Sequence, residues 1–104
     1  DRRVFEQFIH LVNLHSKQEH QLPFYANKLC LTERYLGTII KNVSGITAKK
    51  WIDRSIMAAA QVMLKYSDLS VSEIAMQLNF PDPSFFNKFF KRHKGYTPMD
   101  FRRQ

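Results

Sequence analysis

Two stretches of this 104-residue chain carry recognition-type side chains at helical spacing: ERYLGTIIK, residues 33–41, and PSFFNKFFK, residues 83–91. In the first, Arg34, Thr38 and Lys41 recur at steps of four and three; in the second, Ser84, Asn87, Lys88 and Lys91 do so. Cations, an amide and hydroxyls in this pattern hydrogen-bond to heteroatoms and pair with anions, which is binding chemistry rather than bond-making chemistry. Nothing else in the chain builds a reaction centre. His10, His15 and His20 stand five apart, which turns a helix by roughly 140° per step and scatters them, so no shared metal site is expected. Cys30 is the only cysteine, and neither CxxC nor a Cys/His set at ligand spacing exists. Asp53, Asp68, Glu73, Asp82 and Asp100 fall mainly where helices would start, and capping or dipole effects explain them there. An enzyme, a metal and a cofactor are therefore not expected.

The charge balance says what such side chains meet. Sixteen Lys and Arg against nine Asp and Glu give a formal +7, and so basic a short chain points to an anionic partner, nucleic acid or lipid headgroup. No apolar run approaches the roughly 18 residues of a spanning helix, and the opening DRRVFEQF has no signal-peptide core, so no membrane contact is expected.

Glycine and proline are sparse and apolar residues recur at three and four, which predicts an all-α fold of about seven helices. The first follows Val4, Phe5, Phe8, Ile9 and Val12. TAKKWIDRSIMAAAQVMLKY predicts a long helix over 48–65, about 27 Å, capped by Thr47 and burying Ile52, Ile56, Ala59, Met63 and Tyr66. Ser70 with Glu73 forms a capping box that opens a short helix. Asp82-Pro83 and Thr97-Pro98 are cap-plus-proline start signals for two more.

Set against itself, the chain repeats. Ala26, Leu29 and Leu31 match Ala75, Leu78 and Phe80 at an offset of 49. Leu36, Ile39, Ile40, Lys41, Gly45, Thr47 and Trp51 match Phe86, Phe89, Phe90, Lys91, Gly95, Thr97 and Phe101 at an offset of 50. Each copy is a short helix, a tight turn and a longer helix, so two helix-turn-helix subdomains are predicted, 1–47 and 66–104, joined by the long linker helix 48–65. On a helical wheel, Phe86, Phe89, Phe90 and His93 share the core face of one longer helix, and Leu36, Ile39, Ile40 and Val43 that of the other. Arg34, Gly37, Thr38 and Lys41, and Ser84, Asn87, Lys88 and Lys91, face outward. A solvated face normally mixes charge signs, whereas these outward positions hold no acid, and a helix of about 10 to 12 Å diameter fits a DNA major groove. Lys41 and Lys91 lie where phosphates flank the groove; Lys94, Arg102 and Arg103 extend the basic surface.

YANKLCLTERYLGTIIKNVSG and, more specifically, SVSEIAMQLNFPDPSFFNKFFKRHKGYTPMDFRR resemble the DNA-binding domain of the AraC/XylS family of bacterial transcription regulators. The resemblance implies a cytoplasmic, nucleoid-associated domain that binds double-stranded operator or promoter DNA, with recognition helices at about 33–43 and 83–93 entering successive major-groove segments. The family's base-reading positions fall on Arg34, Gly37 and Thr38 in the first unit and on Pro83, Ser84, Asn87 and Lys88 in the second. A separate N-terminal sensor or dimerisation domain is implied as well.

The chain departs from the family pattern at four positions. Cys30 and Asn79 stand where many members have glycine, and since cysteine tolerates a left-handed conformation less well than asparagine, a differently shaped first turn is expected. Gly37 replaces a larger polar reader, which shifts first-unit readout to Arg34, a bidentate partner for guanine. Pro83 offers no polar side chain, which shifts second-unit readout to Ser84, Asn87 and Lys88. The rival reading of the same surface is a helical interaction module, with Tyr35, Phe85 and the basic faces docking on an acidic partner such as RNA polymerase.

Overall fold

A computed structural model describes residues 1–104 and is entirely helical between its loops. Seven helices run in order: α1 Arg2–His15, α2 Leu22–Lys28, α3 Glu33–Ser44, α4 Ala48–Tyr66, α5 Val71–Gln77, α6 Pro83–Lys94 and α7 Pro98–Arg103. The chain parts into two compact units, Asp1–Ser55 and Ile56–Gln104, so the boundary falls inside α4 and each unit takes part of that helix.

In the first unit, Phe8 and Val12 of α1, Tyr25 and Ala26 of α2, Leu36, Ile39 and Ile40 of α3, and Ala48 and Ile52 of α4 form the core. Phe8 meets Tyr25 edge to face at 5.6 Å. The Tyr25 hydroxyl donates to the Glu19 carbonyl at 2.7 Å, and burial, with a smaller push from the Glu19 charge, raises it to about 12, so it stays a donor. Trp51 packs on Phe5 and donates its indole N–H to Ser44 Oγ at 3.0 Å.

The second unit buries Ile56, Met57, Ala60 and Leu64 of α4, Ile74 and Ala75 of α5, Leu78, Pro98, and Phe86, Phe89 and Phe90 of α6. Phe80 and Phe101, half-buried, close the aromatic cluster over Phe86, Phe89 and Phe90.

The stripe expected on α4 is corrected. Ile52 and Ile56 are buried, but Ala59 and Met63 are half-buried and Tyr66 is 85% exposed, while Met57, Ala60 and Leu64 are buried instead. A straight stripe suits a helix closing one core. This helix closes two in succession, and its buried edge steps by four through Ala48, Ile52, Ile56, Ala60 and Leu64. Each such step advances about 40° round the axis, so the edge winds off the line that leads to Tyr66.

Local chemistry explains where the helices start. Ser70 and Glu73 exchange both bonds of a capping box, at 3.0 and 2.8 Å, and Thr97 with Asp100 forms another. Thr32 and Asp82 cap α3 and α6, and Thr47 Oγ1 accepts the Lys50 amide at the start of α4.

Candidate nucleic-acid interface

Each unit presents its longer helix across a tight turn, and the two turns are built alike. After α2 the Cys30 amide bonds to the Asn27 carbonyl and the Leu31 amide to that of Ala26; after α5, Asn79 bonds to Met76 and Phe80 to Ala75. Both are Schellman closures, and both place the pivotal residue in the left-handed region, Cys30 at φ 58° and Asn79 at φ 62°. The expectation of a differently shaped first turn is therefore corrected: the pair of backbone bonds imposes the same geometry on cysteine as on asparagine.

The turns orient α3 and α6 so that Leu36, Ile39 and Ile40, and Phe86, Phe89 and Phe90, face inward. Arg34, Thr38, Lys41, Pro83, Ser84, Lys88 and Lys91 are exposed; Gly37 and Asn87 are half-buried. His93, assigned to the core face, is exposed, its ring tilted by 55° against that of Phe89 with centroids 4.5 Å apart.

The polar tips rest on their own helices. Thr38 Oγ1 donates to the Arg34 carbonyl at 2.9 Å, Asn87 Nδ2 to the Pro83 carbonyl at 3.0 Å, and Lys41 Nζ to the Gly45 carbonyl at 3.0 Å. Ser84 Oγ donates to Asp82 Oδ1 at 2.6 Å, and the same oxygen receives the amides of Ser84 and Phe85. Those bonds, from the Ser84 side chain first and the Phe85 amide next, hold the Asp82 carboxyl below its ordinary range; the Lys88 charge adds to the effect. Carboxylates are thus not absent from these helix starts: Asp82 and Glu33 are both exposed there.

Among the expected phosphate partners, Lys41, Lys91, Lys94 and Arg103 are exposed. Arg102 is different. It is half-buried, with Nε donating to the Leu64 carbonyl at 2.9 Å and Nη2 to the Ser67 carbonyl at 3.3 Å, so its fork is committed to the end of α4. Arg92 is not among the expected phosphate partners. It is exposed, lies over the Phe89 ring, and joins Lys91, His93 and Lys94 in the basic last turn of α6. The run KRHK was the signal that could have found it.

The fold defines a class, the tandem helix-turn-helix domain. The helix-turn-helix domain family model matches residues 25–104. The transcriptional activator RhaS of Yersinia pestis is 35% identical over 82 residues, covering 79% of this chain and 30% of that protein. Among solved structures, the C-terminal domain of AraT, a response regulator from Geobacillus stearothermophilus, superposes with a TM-score of 0.89 at 25% identity over 96% of this chain and 84% of its own. The DNA-binding domain of the transcriptional factor AdpA, solved with a target DNA, shares the fold with a TM-score of 0.82 at 21% identity, over 94% of this chain and 88% of its own. The chain belongs to the AraC-type helix-turn-helix family of transcription regulators. It spans under a third of the length of the curated relatives it matches, 31% of one and 30% of another. No helix is long and apolar enough to cross a membrane.

Proposed function

We propose that this chain is the output domain of a larger bacterial regulator and reads specific double-stranded DNA by laying α3 and α6 in successive major-groove segments. The observation that carries the reading is the duplication itself. Two matched units present polar and cationic outward faces, Arg34, Thr38 and Lys41 in one and Ser84, Asn87, Lys88 and Lys91 in the other, above matched apolar undersides. Arg34 and Thr38 read bases from α3, with Gly37 marking a close approach; Ser84, Asn87 and Lys88 read from α6, with Pro83 setting the helix start. Lys41, Lys91, Arg92, Lys94 and Arg103 hold the phosphates and supply salt-dependent affinity. Arg102 is not among them. The domain works on nucleoid DNA in the cytoplasm, and the remainder of the regulator supplies a sensor or dimerisation domain.

The test is enrichment of bound sites from a randomised duplex pool, followed by competition with scrambled duplex. A selected site bound no better than scrambled DNA while the domain is folded would sink the reading. Lys88→Ala separates the two kinds of contact. Loss of about 1 to 3 kcal/mol at the selected site alone makes Lys88 a base reader; equal loss on every sequence makes it a phosphate contact.

A second reading has one observation behind it. Tyr35 and Phe85, a matched pair on α3 and α6, are 56% and 55% exposed, so each unit offers an aromatic side chain beside basic residues for docking on an acidic protein such as RNA polymerase. Failure of any duplex to compete would favour it.

A further inference from the structure

Asp82 and Ser84 form a pair with a defined hydrogen-bond polarity. A serine hydroxyl has one proton to donate and two lone pairs to accept with, and which of these faces outward depends on where the proton goes. Here Oγ stands 2.6 Å from Asp82 Oδ1, the separation of an O–H···O⁻ bond. An ionised carboxylate only accepts, so the proton in that bond is the serine's. The carboxylate is itself pinned: Oδ1 also receives the Ser84 amide at 2.8 Å and the Phe85 amide at 3.2 Å. Those bonds together favour its charged form, as does Lys88. Both residues are exposed, which leaves the serine's lone pairs as what it offers outward.

We propose that Ser84 reads its base as a hydrogen-bond acceptor, its proton held by Asp82, so that α6 selects an amino-bearing base, adenine or cytosine, over guanine or thymine at that position. The inference rests on the DNA reading above and adds a chemical rule to it. In the major groove adenine and cytosine present amino donors at N6 and N4, whereas guanine and thymine present carbonyl acceptors at O6 and O4. A serine with its proton withdrawn meets an amino group productively and a carbonyl oxygen with repulsion, reinforced by the carboxylate behind it. Each Watson–Crick pair has one amino and one carbonyl edge, so Ser84 reads which strand carries the amino group, and either an A·T or a C·G pair in that orientation satisfies it. Asp82 thereby determines specificity through its hold on the Ser84 proton.

Thr38 supplies the contrast within the same chain. Its hydroxyl proton also rests on its own helix, on the Arg34 carbonyl at 2.9 Å. That acceptor is neutral, and bonds to neutral acceptors are roughly half as strong as those to a charged one. Thr38 is free to turn and donate, and no such rule is assigned to it.

The experiment enriches a randomised duplex pool with the wild-type domain and with Ser84→Ala, locating the position where the preference changes. Affinities are then measured by fluorescence anisotropy on duplexes carrying each of the four bases there, for wild type, Ser84→Ala, Asp82→Asn and Asp82→Ser. Wild type is expected to favour A or C over G or T by roughly threefold to tenfold, the worth of one hydrogen bond. Ser84→Ala flattens that preference. Asn and Ser are N-caps of the same rank as Asp, so both Asp82 variants stay folded with the wild-type circular dichroism, at a somewhat lower melting temperature because the carboxylate charge at the helix N-terminus is lost. They narrow the gap because a hydroxyl held only by a neutral acceptor can turn and donate to G or T. A wild-type preference for G or T, no position shifted by Ser84→Ala, or an amino preference intact in both folded Asp82 variants would each overturn the inference while leaving DNA reading in place. A pool that wild type fails to enrich would overturn both.

Discussion

The Arg102 guanidinium donates through Nε to the Leu64 carbonyl at 2.9 Å, tying α7 to the C-terminal end of α4. A second bond from Nη2 reaches the Ser67 carbonyl at 3.3 Å, and Lys65 answers by donating to the Gln104 carbonyl at 2.7 Å. Carbonyls at a helix end have no partners within the helix, and a cation there also meets the negative end of the dipole. Phe101, on the same helix α7, lies against Phe90 at 5.7 Å, so Arg102 holds in place the helix that backs α6.

Arg102→Gln is expected to destabilise the second unit by about 1.5 to 3 kcal/mol, the worth of hydrogen bonds to a charged group. Urea denaturation read out on that unit should show a lower midpoint with an unchanged slope. The salt dependence of DNA binding should not change. A drop of about one in that dependence, with no loss of stability, would instead make Arg102 a phosphate contact.

Cys30 gives a second prediction. It holds φ 58° in a Schellman closure where glycine is the ordinary occupant, and a side chain in that region costs roughly 1 to 2 kcal/mol. Glycine recovers most of this and gives some back as unfolded-state entropy. Cys30→Gly should therefore stabilise the first unit by about 1 kcal/mol, whereas β-branched Cys30→Val should weaken it. Thermal melts of the two variants check the ordering, and a lower melting temperature for the glycine variant would contradict it.

These positions also show what the sequence made legible. The helices, their caps and the repeat were readable because each rests on local chemistry: Asp82-Pro83, Ser70 with Glu73, and Thr97-Pro98 act within one turn of themselves. The buried residues of α3 and α6, Leu36, Ile39 and Ile40 and Phe86, Phe89 and Phe90, followed from spacing, whereas His93, given to the same face, is exposed. What was misread depends on packing partners that a helical wheel does not contain. Tyr66 fits a straight stripe, but α4 divides between two cores and turns its buried edge toward Leu64. Arg102 looked like surface charge beside Arg103. The repeat offset of 50 pairs it with Ile52, which is fully buried, so the inward direction was available in the sequence; the carbonyl partners that satisfy an inward arginine were not.

Acid stability follows from the helix caps. The Ser70 bonds, the backbone amide first and the hydroxyl next, lower the Glu73 carboxyl from its ordinary 4.5. A carboxyl with a depressed folded value contributes stability that is present above its unfolded value and is lost as pH falls through the folded one. The melting temperature should therefore hold above about pH 5 and decline below 4.5. Glu73→Gln keeps a capping box without a titrating group, so its decline on the acid side should be shallower. Superimposable pH profiles for the variant and wild type would remove the box as a contributor.

Gly37 separates stability from binding most cleanly. A Cβ built on it meets nothing within 4 Å, and its backbone is ordinary α-helix, so nothing in the free domain requires glycine. Glycine inside a helix costs about 0.5 to 1 kcal/mol relative to alanine, and Gly37→Ala should raise the stability of the first unit by that amount. The outward face of α3 is where the same methyl group would meet a base edge or a DNA backbone. If α3 seats closely in the groove, the stabilised variant binds its selected site more weakly than wild type, and Gly37→Leu, with a bulkier side chain, more weakly again. Melting curves and anisotropy titrations on the two variants give the answer. Higher stability with unchanged affinity in both would mean that α3 keeps its distance from the DNA at this position, leaving first-unit readout to Arg34 and Thr38.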